Sequence, residues 1–399
     1  MAEVLRILYV HPLSQLGGSD ISLFQLVREM INRNHKCVVV FPFDGFNVPK
    51  FKHIGVQVRF IPEIQGFNRT YNLLRLSLKT AKIVPAIKKL LDIIKQENID
   101  IVHSNTTTTW PGGIAARIAK VPTVHHVREV TIASPKILGW AITHIVNSMA
   151  DKIITVSNAA GKVFHDNRIL KNNLVTIYNG VDIQEFHPSN EGTALRKEFG
   201  IDDNTVLVGL VGRFNPRRGH RCFIEACAKV KNGSSVDTKF MIVGGKPKVR
   251  GKTQTAEEKY ESEMLSLIKK LGLEREIILT GTRQDIPQVM AALDILAHPS
   301  TTDAGPRSPL EAMASGKPVI ASAVEGNIEE VEDGVTGILF PSSDSDALSQ
   351  ALIKLIENKI ARERLGSAGR KRVERLFTTI INADRTESLY FDLLRTYRR

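Results

Sequence analysis

The chain has 399 residues, 42% of them hydrophobic, and a formal charge of +12. That length can fill two separate cores, while three scattered cysteines, Cys37, Cys222 and Cys227, exclude a disulfide framework and a thiolate metal site. No apolar run approaches the ~18 residues of a membrane span and no basic-then-apolar leader precedes the first apolar run, so a reducing cytoplasmic compartment is expected.

Short β-rich runs alternate with amphipathic stretches, the pattern of a parallel sheet covered by helices. In the first half, Val4–Val10, Lys36–Phe41, Val56–Ile61, Asp100–His103, Thr123–His126, Lys152–Val156 and Val175–Tyr178 read as strands. Between the first two, Leu23, Leu26, Val27 and Met30 recur at helical spacing. Before that helix, Leu16-Gly17-Gly18-Ser19-Asp20 offers paired glycines that let backbone approach a bulky ligand, and a helix start that favours phosphate or carboxylate. An ordinary βα turn would look the same. From Arg69 to Gln96, Leu73, Leu76, Ile83, Ile87, Leu90, Leu91 and Ile94 interleave with Arg75, Lys79, Lys82, Lys88, Lys89 and Lys95, and Pro85 interrupts the run. Ordinary surface helices over the sheet are the favoured reading, with a lipid-facing amphipathic segment as the rival.

After the fourth and fifth runs stand His103-Ser104-Asn105 and His125-His126-Val127-Arg128-Glu129, residue types able to hold an acceptor, orient a hydroxyl or stabilise developing charge. Side chains alternate along a strand, so one of the two adjacent histidines must face away, as a satisfied core histidine. No spacing here suits zinc.

The turn signal Tyr178-Asn179-Gly180-Val181-Asp182 closes this half. Val206–Val211 starts the strand count again, followed by Phe240–Val243, Ile277–Thr280, Ile295–Ala297, Val319–Ala321 and Gly337–Phe340. Thr255-Ala256-Glu257-Glu258 reads as a capping box ahead of Met264, Leu267, Ile268 and Leu271, with Gly272 as the stop. The expected architecture is α/β: two Rossmann-like doubly wound domains across a cleft, with ligands gathered at the carboxyl ends of the strands.

Two strand ends in this half carry chemistry. Gly212-Arg213-Phe214-Asn215-Pro216-Arg217-Arg218-Gly219 sets cations around a turn, where planar guanidinium forks can clamp a diphosphate. Asp303-Ala304-Gly305-Pro306-Arg307-Ser308-Pro309-Leu310-Glu311 places two carboxylates eight positions apart, the first on a Gly/Pro loop and the second opening a short helix that stops at Gly316. A Gly-rich loop feeding a helix start presents backbone N–H groups to an anion, and a neighbouring carboxylate accepts from sugar hydroxyls. That combination suits a nucleotide-linked sugar. Gly326-Asn327-Ile328-Glu329-Glu330 and Asp333-Gly334-Val335-Thr336-Gly337 add carboxylates and glycines at later strand ends.

Taken together, Gly17-Gly18, Tyr178 to Asp182, Gly212-Arg213 with Arg218-Gly219, Asp303 and Glu311 with Glu-Ala-Met-Ala, and Asp333 to Gly337 resemble glycosyltransferase family 4, the group 1 glycosyltransferases, over nearly the whole chain. The resemblance implies the GT-B fold and a retaining, nucleotide-sugar-dependent transferase. It implies an acceptor-binding domain over 1–185, a nucleotide-sugar-binding domain over 186–376, and a segment 377–399 returning to the first domain. It implies that Arg213 and Arg218 hold the donor diphosphate with backbone amides in the loop formed by Gly305, Pro306, Arg307 and Ser308, Glu311 the ribose, and Asp303 the donor sugar. It further implies that Gly281, Thr282 and Arg283 lie where the base is met through backbone, with Gly17 and Gly18 at the donor and His126, Arg128 and Glu129 in the catalytic part of the first domain. No cofactor or metal is expected, since two cations offset the diphosphate charge. Three positions depart from the family pattern: a glutamate is usual at Asp303, a lysine at Arg218, and for the family's histidine in the first domain both His126 and Arg128 are candidates, with Arg128 at the matching distance from Pro122.

Charge separates the halves: residues 1–185 carry a net +9 and the remainder +3. With few aromatics, nucleic acid ranks last among anionic partners, behind a glycan or lipid-linked acceptor and an anionic membrane face. A nucleotide-sugar epimerase and an inactive nucleotide-sugar- or membrane-binding scaffold are the rival functions.

Overall fold

A computed structural model describes residues 3–12, 17–64, 83–130, 136–166, 173–245 and 255–397. The chain forms two compact units, one of residues 1–180 with 379–399 and one of residues 181–378. Each is built on one all-parallel sheet. Runs such as Lys-Cys-Val-Val-Val-Phe and Val-Leu-Val-Gly-Leu-Val are buried nearly throughout because helices cover both faces, and β-branched residues suit that environment.

In the first unit the strands are β1 (Arg6–Val10), β2 (Lys36–Phe41), β3 (Gln57–Phe60), β4 (Ile101–Asn105), β5 (Thr123–Val127), β6 (Lys152–Thr155) and β7 (Leu174–Thr176), in the order β3-β2-β1-β4-β5-β6-β7. The second unit holds β8 (Val206–Val211), β9 (Thr238–Val243), β10 (Ile277–Gly281), β11 (Ile295–His298), β12 (Val319–Ser322) and β13 (Gly337–Phe340), in the order β10-β9-β8-β11-β12-β13. In each sheet the winding reverses once, between β1 and β4 and between β8 and β11. Connections there leave to opposite faces and open a crevice beyond the strand ends.

The capping box forms: Thr255 Oγ1 accepts from the Glu258 N–H (3.3 Å) and Glu258 Oε2 from the Thr255 N–H (2.6 Å), with Gly272 at φ +63° ending that helix. Only part of the basic amphipathic stretch can be placed, since 65–82 fall outside the described residues. Its remainder is one helix, Ile83–Gln96, which buries Ala86, Leu90, Ile93 and Ile94 against the sheet and exposes Lys88, Lys89 and Lys95. Pro85 does not break it. The proline stands in the first turn, where its missing N–H costs no bond. Among the described residues no helix is long and apolar enough to cross a membrane.

The last helix, Thr379–Tyr397, belongs to the first unit. Ala383, Tyr390, Leu393 and Leu394 enter the core beside Tyr9, Leu23 and Phe41. Arg33 ties to Asp384 and Glu387 at 2.7 Å each, and His35 Nε2 lies 2.7 Å from Glu387. Tyr390 is fully buried with a polar tip, its Oη 2.6 Å from His103 Nδ1 and 3.4 Å from Tyr9 Oη. Tyr390→Phe keeps the shape but deprives two buried groups of a partner, which costs about 1–3 kcal/mol. Calorimetry should show the first unit melting lower by several degrees; an unchanged melting temperature would contradict this.

Candidate functional site

At the reversal of the second sheet, the loops after β8 and β11 lock together. Gly219 has φ +70°, and a Cβ there would lie 1.9 Å from the Pro299 carbonyl oxygen. No other residue accepts both constraints. The Thr301 N–H donates to the Arg217 carbonyl at 2.8 Å, and this register carries Arg218 Nη1 onto Asp303 Oδ2 as an ion pair. Asp303 is also held by backbone: its N–H donates to Glu325 Oε2 (3.1 Å) and its carbonyl accepts from the Gly326 N–H (2.9 Å). Burial works to raise the Asp303 carboxyl, but Arg218 and His298 outweigh it and leave it below the usual carboxylate range.

Arg307–Ala314 is a helix entered directly from extended Pro306. It therefore starts four residues before Glu311, which does not open it. Pro309 sits in the first turn, where proline is tolerated, so the Gly-Pro loop runs straight into the helix start and leaves the N–H groups of Gly305, Arg307 and Ser308 as its backbone donors. Glu311, one turn in, is buried, and its Oε1 is 3.1 Å from Arg307 Nη2. Ser308 Oγ lies 3.2 Å from His298 Nδ1.

Arg213 stands more in solvent, 3.8 Å from Glu257. Gly281, at φ +68°, ends β10, and Thr282 Oγ1 donates to the Gly245 carbonyl. The Arg283 guanidinium is committed elsewhere: it pairs with Glu198 (2.7 Å) and Asp285 (2.6 Å), so of this turn only backbone and Thr282 remain for a ligand.

In the first unit, Gly17 caps and Gly18 begins the Gly18–Asn32 helix beyond β1. Glu129 Oε2 accepts from the Arg128 N–H (3.0 Å). Arg128, just past β5, donates from Nε to Asn105 (2.7 Å) and from Nη1 to Asn179 (2.8 Å). Asn105, at the end of β4, is 2.8 Å from His11 Nδ1, and His11 Nε2 is 3.4 Å from Asp20. His126 lies within the strand, buried between His103 (3.3 Å) and Arg128 (3.4 Å). Burial first, then the Arg128 charge, and last a neighbouring histidine (His125 for His103, His103 for His126) hold both well below the usual histidine range, so both are neutral. His125 faces the other way, against Gly113. It is a core histidine but not a satisfied one, since neither ring nitrogen has a hydrogen-bond partner among the described residues and burial lowers it to about 4.

Sequence reasoning singled out neither His298, His11 nor Tyr390. A polar residue ending an apolar run, as His298 and His11 do, is the signal that could have found two of them. Glu330 ends the short Glu325–Glu330 helix. It is buried, its Oε2 has no hydrogen-bond partner among the described residues, and burial, with the charges of Asp303 and Glu329, raises it well above the usual range. The native state therefore binds more protons than the unfolded chain above the unfolded carboxyl value. The stabilisation is complete below that value and is lost as pH rises through the folded one. Glu330→Gln should thus gain on the parent as pH rises above the unfolded carboxyl value, with the gap in melting temperature widening until the folded value is passed. Parallel curves would refute it.

Two family models match this chain in succession: "Glycosyltransferase Family 4" over residues 16–185 and "Glycosyl transferases group 1" over residues 192–372. Among curated proteins, the chain is 26% identical over 329 residues to the Escherichia coli UDP-Gal:alpha-D-GlcNAc-diphosphoundecaprenol alpha-1,3-galactosyltransferase, covering 80% of this chain and 82% of that one. It is 23% identical to the Bacillus anthracis N-acetyl-alpha-D-glucosaminyl L-malate synthase over 95% of both chains. Among solved structures, Anabaena HepE in complex with UDP and glucose superposes with a TM-score of 0.80 at 26% identity, over 96% of this chain and 99% of that one.

Proposed function

Because this chain belongs to the group 1 glycosyltransferases of family 4, a retaining, nucleotide-sugar-dependent group with the GT-B fold, we propose that it transfers a hexose from a UDP-hexose to a lipid-linked saccharide. The observation that carries the donor half is the Arg218–Asp303 pair at the reversal of the second sheet, beside the Gly305–Ser308 backbone. A cation, a row of amides and buried carboxylates within one crevice match a sugar diphosphate.

In this reading Arg213 and Arg218 take the diphosphate together with the amides of Gly305, Arg307 and Ser308. Pro306 has no N–H and shapes the turn. Glu311 accepts from the ribose hydroxyls through Oε2, while Arg307 holds Oε1. Asp303 accepts from the hexose, and the base lies along the backbone of Gly281, Thr282 and Arg283. The acceptor hydroxyl oxygen attacks the anomeric carbon from the face the leaving group departs. The bond from that carbon to the β-phosphate oxygen breaks, and that oxygen takes the hydroxyl proton. The protein's contribution is orientation of the two reactants and stabilisation of charge on the departing diphosphate.

Gly17 and Gly18 give the first unit a helix start suited to an anion, and Arg128, with neutral His126 and Glu129 beside it, orients the acceptor. Support for UDP is the HepE complex, and support for a lipid-linked acceptor is the printed activity of the Escherichia coli relative. The net +9 of residues 1–185 suits a diphosphate-bearing lipid at an anionic membrane face.

Calorimetric titration with UDP, GDP, ADP and their hexose conjugates in EDTA tests the reading. Selective binding of UDP and one UDP-hexose, with no more than slow hydrolysis, is expected. Rejection of every nucleotide would overturn it.

A further inference from the structure

His298 is the last residue of β11, the strand that borders the winding reversal, and it is 4% exposed. Its ring is met on both sides. Nδ1 is 3.2 Å from Ser308 Oγ, in the first turn of the Arg307–Ala314 helix. Nε2 is 3.0 Å from Ser300 Oγ and 3.5 Å from Asp303 Oδ2. One imidazole thus stands between the carboxylate and the backbone turn to which the proposed function gives the hexose and the diphosphate.

Which nitrogen carries the proton follows from the partners. An ionised carboxylate only accepts hydrogen bonds, so Nε2 must be the N–H for its contact with Asp303 to be attractive. A neutral imidazole then has Nδ1 as an acceptor, which obliges the Ser308 hydroxyl to donate to it. Ser300 Oγ shares the Nε2 proton. Burial favours the neutral ring and Arg218 disfavours a second positive charge, against the opposing pull of Asp303. In this tautomer the Ser308 hydroxyl is occupied, and its backbone amide is what the turn presents.

We propose that His298 is a positioning residue of the donor site: as the Nε2–H tautomer it fixes the Asp303 carboxylate and the first turn of the Arg307–Ala314 helix in one geometry, so that the hexose and diphosphate contacts move as a unit. The inference rests on the donor-site reading for its functional meaning, but the hydrogen-bond arrangement can be tested without it.

The first arm is nitrogen-15 NMR of histidine side chains in the full chain without added nucleotide, with the His298 signals identified by their loss in His298→Leu. The expected result is an Nε2–H tautomer whose ring shifts move in both Asp303→Asn and Ser308→Ala. An Nδ1–H tautomer, or shifts indifferent to both changes, overturns the proposal. The second arm compares UDP-glucose and UDP affinity. His298→Leu should reduce the preference for UDP-glucose over UDP by about tenfold, while in the Asp303→Asn background the same change should alter it less than about twofold, the non-additivity expected when one residue acts through another. His298→Gln, which keeps a donor and an acceptor, should recover part of the loss. Additive effects, or equal loss in Leu and Gln, would indicate a space-filling role and overturn the proposal. If the parent protein bound neither UDP nor UDP-glucose, the donor reading would fall, and the tautomer would still decide the role of His298.

Discussion

Removing Arg213 and Arg218 together, as Arg213→Ala with Arg218→Ala, is expected to weaken UDP binding by about 100-fold or more. A charge-assisted hydrogen bond to phosphate contributes about 1.5–3 kcal/mol, and about 1.4 kcal/mol is tenfold in affinity, so two such residues span about 100- to 10,000-fold. The larger share falls to Arg218, which is fixed by Asp303 and by the locked β8 and β11 loops, whereas Arg213 is more exposed with one distant carboxylate. Arg218→Lys should fall between, since it keeps the charge but loses the planar fork. Calorimetric titration of a variant whose second unit still melts cooperatively is the check. Retained affinity in the double variant would remove the diphosphate from this loop.

Asp303→Asn should separate binding from turnover. The carboxylate holds one guanidinium nitrogen of Arg218 and competes with a diphosphate for that cation. Its removal leaves Arg218 the full anion, so UDP should bind as well as in the parent or more tightly. The hexose, however, loses its charged acceptor and its orientation. Misplacement of a reacting group costs on the order of 100-fold, and kcat should drop by about that factor or more with the chosen donor. Binding and rate are therefore expected to move in opposite directions. A parallel loss of UDP affinity and kcat would mean that Asp303 acts chiefly by holding the loop together.

How much of this was visible in the residues alone follows from how each feature is encoded. Most strands are runs of five or so apolar, β-branched residues buried on both faces, and the thirteen among the described residues were legible to within two residues at each end. The β8 and β11 loops were legible because glycine and proline punctuate them. The start of the Arg307–Ala314 helix was misjudged because Pro309 reads as a breaker, although proline is tolerated in a first turn. Partnerships across the chain left no trace. Tyr390 meets His103 and Arg218 meets Asp303 across long sequence separations, with no periodicity to announce either. His298 was hidden for a related reason: its meaning lies in what its two nitrogens touch. The side-chain commitment of Arg283 to Glu198 and Asp285 was equally invisible in a turn chosen for its backbone.

The chain enters the second unit at Val181 and leaves it at Thr378, and these residues lie side by side, the Val181 N–H donating to the Phe377 carbonyl at 2.8 Å. On the first unit's side, Asn382 Nδ2 donates to the Tyr178 carbonyl at 2.6 Å. In sequence, the second unit is thus nested inside the first. During synthesis, the early-made unit cannot bury Tyr9 and His103 against Tyr390 until some two hundred intervening residues have emerged. It must wait on the ribosome with an open core, while the later-made unit can close as soon as its own chain is complete. A shortened carboxyl terminus should therefore harm the half of the protein made first.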